Sequence, residues 1–163
     1  MTCGAVANCV YLLVVSHSVF IMHSASGDDS LSAEVVRELL ARAKEAARCA
    51  YAPFSNLRVG AAVLGDDGRV FAGANVENSS YSLTICAERA AIFHAVSEGV
   101  QNFRAVAVVC DRDSPCAPCG ACRQVLYEFS PSMVVITGSP DSYQCDSLAD
   151  LLPMGFRLER DPE

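Results

Sequence analysis

Residues 86–110 read CAERAAIFHAVSEGVQNFRAVAVVC, and this stretch carries two different periodicities in succession. From Cys86 to about Glu98 the apolar positions recur at helical spacing, and Gly99 is a helix stop. From Phe103 to Cys110 the apolar run is continuous, as in a strand covered on both faces. Downstream the alternation repeats. Cys119 to Phe129 is helical, Met133 to Thr137 is a second buried strand, and a short strand near Tyr143–Cys145 precedes a short helix from Ser147 to Leu152. Upstream, Val59 to Leu64 and Arg69 to Ala74 form a hairpin about Gly65-Asp-Asp-Gly68. Ser30 or Ser32 caps a first helix running to about Ala50, with Val35, Leu39, Leu40, Ala43, Ala46 and Ala47 on one face. Tyr51 to Asn56 is a break, and Asn75 to Ser82 is a polar loop. Strands alternating with helices imply an α/β fold, a mixed central sheet of about five strands covered by helices.

Composition bounds what such a domain can do. A chain of 163 residues fits one compact domain and buries a core without staples. Its 12 Lys and Arg against 19 Asp and Glu, with no basic run and no Trp, exclude a phosphate-neutralising groove. No nucleic-acid partner is therefore expected. The nine cysteines are odd in number and follow no disulfide framework. They read as thiols of a reduced, cytoplasmic protein.

Residues 1–26 are apolar and small, densest from Val10 to Met22, and the first basic residue is Arg37. A secretory signal opens with positive charge, which this stretch lacks. The run is broken by Ser16, His17 and Ser18, and it is shorter than the roughly 20 residues a membrane span needs. The expectation is a disordered or weakly ordered extension, or a non-native start, over 1–30, with Met22 as a natural internal start and no membrane partner. A signal or anchor is the alternative. The catalytic domain then spans 31–156, followed by a tail at 157–163.

The chemistry lies in two clusters, Thr84-Ile-Cys-Ala-Glu-Arg and Pro118-Cys-Gly-Ala-Cys-Arg-Gln. They supply three thiols, Cys86, Cys119 and Cys122, and one carboxylate, Glu88, two residues after the first thiol. Three protein ligands leave the fourth tetrahedral position of zinc open, as in catalytic sites. Cys86 and Cys119 each fall at a helix start, where the positive helix end favours the thiolate. Cys119 and Cys122, three apart, project from one face of a first turn. A carboxylate beside the open position can carry a proton between water and substrate. Three thiolates outweigh the charge of one Zn²⁺, and a guanidinium at Arg89 that hydrogen-bonds a ligand sulfur would restore the metal's acidity. Cys116 makes a second Cys-x-x-Cys with Cys119. As a fourth ligand it would close the site into a structural one, but Pro115 and Pro118 constrain its loop, and a loop cysteine is the preferred reading.

Six stretches in register carry a resemblance: Tyr51-Ala-Pro-Phe-Ser, Val59-Gly-Ala-Ala, Asn75-Val-Glu-Asn, Cys86-Ala-Glu-Arg, Ala95-Val-Ser-Glu-Gly and Pro118-Cys-Gly-Ala-Cys-Arg-Gln. From about residue 33 to 156 the chain resembles the small homotetrameric zinc-dependent cytidine deaminases, the class with Cys as first ligand. The resemblance implies a three-layer fold and one zinc per subunit, held by Cys86, Cys119 and Cys122. It implies Glu88 as the proton carrier and Arg89 as the charge-compensating residue. It implies that Asn75 and Glu77 bind the ribose 3′-hydroxyl. Backbone groups near Ala87 and Pro118 would hold the pyrimidine edge and amino group. Phe156 would close the active site of a neighbouring subunit, and Tyr81 would sit at a subunit contact. Leu57 stands where the family usually has Phe against the pyrimidine ring, which removes stacking worth about 1 kcal/mol.

The expected reaction is hydrolytic deamination of cytidine and 2′-deoxycytidine to the uridines with release of ammonia, in pyrimidine salvage. Two alternatives stay open. One is deamination of a modified or antibiotic aminated nucleoside on the same fold. The other is a structural zinc-binding interaction module with Cys116 as fourth ligand.

Overall fold

A strand buried at every position must be covered on both faces, and Val59–Gly65 meets that condition at all seven of its residues. The computed structural model describes residues 31–112 and 116–158, together with the backbone of Leu12–Val15 (β1) and Ser18–Ile21 (β2). The elements that follow are α1 (Ala33–Ala47), β3 (Val59–Gly65), β4 (Arg69–Ala74), a 3₁₀ turn at Tyr81–Leu83, α2 (Ala87–Ser97) and β5 (Phe103–Cys110). Then come α3 (Gly120–Phe129), β6 (Val134–Ser139), β7 (Ser142–Ser147) and α4 (Leu148–Leu151). The strand order is β1-β2-β4-β3-β5-β6-β7. β5 and β6 are parallel, and every other neighbouring pair is antiparallel, so the sheet is mixed as expected.

The five strands β3 to β7 correspond to those expected from the sequence. The additional pair, β1 and β2, forms a hairpin that joins the β4 edge through Val19↔Val70 and Phe20↔Arg69. The sequence reading expected no regular element there. The segments LLVV and SVFI are rich in strand-forming residues, and β4 would otherwise offer an open edge. The rest of 1–30, with the suggested internal start at Met22, lies outside the described residues. No helix among the described residues is long and apolar enough to cross a membrane.

Alternation along β3 splits the core in two. Ala62 and Leu64 face α1, which contributes Val35, Val36, Leu39, Leu40 and Ala43. Ala61 and Val63 face α2, with Ala87, Ala91, Ile92 and Ala95, and this side also takes in Leu126 of α3 and Leu148 of α4. Helices thus cover both faces, giving three layers. Glycine sets how closely they lie. A Cβ on Gly60 would collide with the Ala43 carbonyl of α1, and one on Gly73 with the backbone of α2 at Ala91. These two glycines let α1 and α2 rest directly on opposite faces of adjacent strands.

Helix ends follow local chemistry. Ser32 caps α1, its Oγ accepting from the Val35 N–H at 3.3 Å. α1 stops at Ala47, short of the expected Ala50, because residues 48–50 turn out with N–H bonds to Glu45, Ala46 and Ala47. α2 ends as expected near Gly99, where the Gly99 and Val100 N–H groups bond back to Val96 and Ala95.

Candidate active site

The chain enters α2 from a segment that is already held. Ile85 and Val76 exchange N–H···O bonds of 3.0 and 2.9 Å, and Val76 also bridges to Tyr51. Cys86 is the N-cap residue of α2, and Cys119 is the N-cap residue of α3. In neither case does the side chain cap the backbone, so both sulfurs remain available at the positive ends of their helices. α2 and α3 pack against each other, and their starts converge. The Sγ atoms of Cys86, Cys119 and Cys122 all lie within 4.8 Å of one another. Sulfurs bound to one tetrahedral zinc at about 2.3 Å stand about 3.8 Å apart, so the donor set needs only a slight contraction. Three thiols in this arrangement fit zinc and leave one position for a small oxygen ligand.

The thiols share their protons unequally. Cys86 is pulled down to about 5, chiefly by a hydrogen bond from Cys122 and then by the hydrogen bond and charge of Arg89. Cys122, buried, is pushed up by that same bond to Cys86 and by its burial. Arg89 Nη2 donates to Cys86 Sγ at 3.5 Å and to the Thr84 carbonyl at 3.0 Å. Its Nε is buried with no partner among the described residues. A guanidinium fixed against a ligand sulfur is the arrangement the charge argument called for.

Glu88 lies in the first turn of α2 and is 4% exposed. Burial raises its pKa and the Cys86 charge raises it further, against a hydrogen-bonding contact with Cys122 that lowers it. A carboxyl in contact with a thiol of the three-sulfur cluster, its pKa raised, is suited to moving protons. Cys116 stands apart from the three-sulfur cluster. It packs against the α2-side core and contacts Cys110, and burial first raises its thiol to about 12. The fourth-ligand arrangement is therefore not the one observed.

Asn75 and Glu77, the residues matched to ribose binding, are both bonded to backbone in this subunit. Asn75 Oδ1 accepts from the Val59 N–H at 2.8 Å, and its Nδ2 donates to the Leu57 carbonyl at 2.9 Å. Glu77 Oε2 accepts from the N–H groups of Phe54 (2.8 Å) and Ser55 (3.3 Å). An amide and a carboxylate keep further donor and acceptor capacity beyond these bonds. Leu57 is half-buried against the same core as Glu88's helix. Ala87 is fully buried at the first position of α2. Phe156 is remote in sequence and 66% exposed, and its carbonyl accepts from Gln124 Nε2 at 2.8 Å. Tyr81 is exposed, with its ring 5.9 Å from that of Phe54.

Sequence reasoning assigned no role to Arg123, which bonds two backbone carbonyls beside the site. Its position directly after Cys122 was the available signal.

A family model described as the cytidine and deoxycytidylate deaminase zinc-binding region matches residues 33–138. A cytidine deaminase of Sporosarcina psychrophila is 49% identical over 126 residues, covering 76% of this chain and 93% of that protein. One from Mycobacterium tuberculosis is 46% identical over 121 residues, 74% of this chain and 89% of the relative. The crystal structure of cytidine deaminase from Burkholderia pseudomallei superposes with a TM-score of 0.69 at 47% identity, covering 73% of this chain and 97% of that one. The Bacillus anthracis cytidine deaminase structure, at 20% identity and a TM-score of 0.61, shares the fold.

Proposed function

This chain belongs to the cytidine and deoxycytidylate deaminase family, and from that premise we propose that it hydrolyses the C4 amino group of cytidine and 2′-deoxycytidine, giving the uridines and ammonia in pyrimidine salvage. The observation that carries the reading is the convergence of three sulfurs within 4.8 Å beside a buried Glu88 that contacts Cys122. Cys86, Cys119 and Cys122 would hold one zinc per subunit, and zinc when bound supplies the Lewis acidity that lowers the pKa of water. Glu88 takes a proton from the attacking water and delivers it to N3 of the ring. It then carries the second proton to the departing amino group, so that water and cytidine leave as uridine and ammonia. Burial of Glu88 raises its pKa above the ordinary carboxylate value, the direction a group that both takes and gives a proton requires. Arg89, which donates to the Cys86 sulfur, would draw charge from that thiolate and so preserve the Lewis acidity a bound zinc supplies.

Asn75 and Glu77 are assigned to the ribose 3′-hydroxyl, backbone at Ala87 to the pyrimidine edge, and Leu57 to the ring face. The catalytic domain is residues 31–156, with 1–30 an extension and 157–163 a tail. The enzyme is assigned as a cytoplasmic homotetramer. Supporting this are the seven described cysteines, none of which is in a disulfide, and an exposed apolar surface at Tyr51, Phe54, Tyr81 and Leu83. Phe156 would then reach a neighbour's site.

An absorbance assay for loss of cytidine, run with and without a chelator, tests the reading. Turnover lost on chelation and restored by zinc is expected, and chelator-insensitive turnover would refute it. Leu57 favours one second reading, a modified aminated nucleoside as preferred substrate. A nucleoside panel in the same assay decides between them by kcat/KM.

A further inference from the structure

The start of α3 presents Cys119 and Cys122, yet residues 116–118 leading into it are in no strand. What fixes its start is a side chain. The Arg123 Nε–H donates to the Pro118 carbonyl at 2.8 Å, and its Nη1 donates to the Leu151 carbonyl, also at 2.8 Å. Pro118 immediately precedes Cys119, so the first bond grips the residue from which that thiol projects. Leu151 is the last residue of α4, whose terminal carbonyls have no helical partners of their own. Arg123 closes one of them, as basic residues do at helix ends.

The same helix holds the chain beyond α4. Gln124 Nε2 takes the Phe156 carbonyl, and Gly155 lies so close to the Tyr127 ring that a Cβ would come within 2.9 Å of it. α4 itself is tied to the core through fully buried Leu148 and the Leu148 N–H bond to Met133. Arg123 thus ties the turn that presents Cys119 to an element anchored in the core. A guanidinium suits this because its donors are spread in a rigid fork, where an ammonium is a point.

We propose that Arg123 is a positioning residue that sets Cys119 for metal binding by clamping Pro118 to the end of α4. This rests on the zinc reading above and adds a residue to which that reading gave no part. Loss of the clamp frees the Cys119 turn while leaving Cys86, Cys122 and Glu88 in place. The metal should then leave faster, before any loss of fold.

The experiment compares zinc-loaded full-length protein with Arg123→Gln, Arg123→Lys and Gln124→Ala. Zinc release to excess 4-(2-pyridylazo)resorcinol is followed well below the unfolding temperature, with thermal melts and with kcat and KM for cytidine alongside. Partners behind a metal ligand are worth on the order of 10–100-fold in affinity, and Arg123→Gln should release zinc faster by at least about tenfold. Arg123→Lys, which can reach one carbonyl, should fall between, and it serves if Arg123→Gln does not fold. Gln124→Ala, which loosens only the outer tail, should release zinc at the wild-type rate. A merely structural role would lower the melting temperatures and leave release unchanged. Wild-type release from folded Arg123→Gln or Arg123→Lys overturns the proposal. A wild-type protein that binds no zinc overturns the metal reading and this proposal together.

Discussion

The starts of α2 and α3 look alike in sequence and differ in how they are held. Each opens on a cysteine at the N-cap, and each has an arginine within its first five residues. At α2 the backbone does the holding: Ile85 is paired to Val76, and the helix lies on β4 through Gly73. Its arginine is left for chemistry, reaching the Cys86 sulfur. At α3 no strand pairing precedes the helix among the described residues, and its arginine is used on backbone carbonyls. One half of the site is held by the sheet, with a side chain on its sulfur. The other half is fixed by a side chain.

The largest consequence of this division concerns Glu88. It sits on the sheet-held half, so its chemistry can be removed without disturbing the metal. Glu88→Gln is expected to keep zinc and the melting temperature while kcat falls by about 10²–10⁴, the usual worth of a positioned acid–base group. Metal content and single-turnover rate, measured on the same preparation, check this. Full activity would remove Glu88 from the mechanism, and loss of zinc would show that the two halves are not separable.

Arg89→Gln tests the tuning role. The guanidinium charge helps bring Cys86 down to about 5. Removing it should leave three thiolates over-neutralising the metal, with kcat lowered about 10–100-fold and zinc release changed less than in Arg123→Gln. If the two arginine variants show the same split between kcat and zinc release, the distinction between tuning and holding fails.

Support for the α2 side reaches back to Asn75. Its amide bonds the Leu57 carbonyl and the buried Val59 N–H, one residue before the Val76–Ile85 bridge. Asn75→Ala strands that N–H and should cost about 1–3 kcal/mol in chemical denaturation, beyond any effect on cytidine binding. A variant with native stability and a raised KM would restrict Asn75 to substrate.

The sequence made some of this plain and left some of it hidden, for physical reasons. Periodicity marked the helices and the buried strands because β3 and β5 are covered on both faces and α1 presents one apolar stripe. The three thiols and Glu88 were legible because metal chemistry restricts residue type and spacing together. Arg123 stands directly after Cys122, but what it bonds is main-chain carbonyl, 5 and 28 residues away, and such partners leave no mark on residue type. Asn75 and Glu77 were seen as polar groups for a sugar. Their bonds to the backbone at 54–59 depend on how the loop folds across β4's end. The β1–β2 hairpin was missed because an apolar run without clear alternation does not announce a strand.

Leu57 lies in the loop that Asn75 steadies, so Leu57→Phe asks whether this wall is passive. An aromatic ring adds about 1 kcal/mol of stacking, and KM for cytidine should fall severalfold with kcat little changed. Unchanged binding would mean that position 57 does not face the ring.

The smallest effect expected is a pH dependence from Glu77. Its carboxyl is held below the ordinary value of 4.5 by the Ser55 hydroxyl first and by the Phe54 N–H next. A carboxyl depressed in the folded chain binds fewer protons there than in the unfolded one. Its contribution is therefore complete above pH 4.5 and drains away as pH falls through the folded value. Glu77→Gln should lose a little stability at neutral pH and show a shallower decline below pH 4.5, read as the difference between the two unfolding curves. The carboxylate is solvent-facing, so the change in slope should be slight. Parallel curves for the two proteins would show that the Phe54–Ser55 turn holds itself, and that Glu77 is kept free for the ribose.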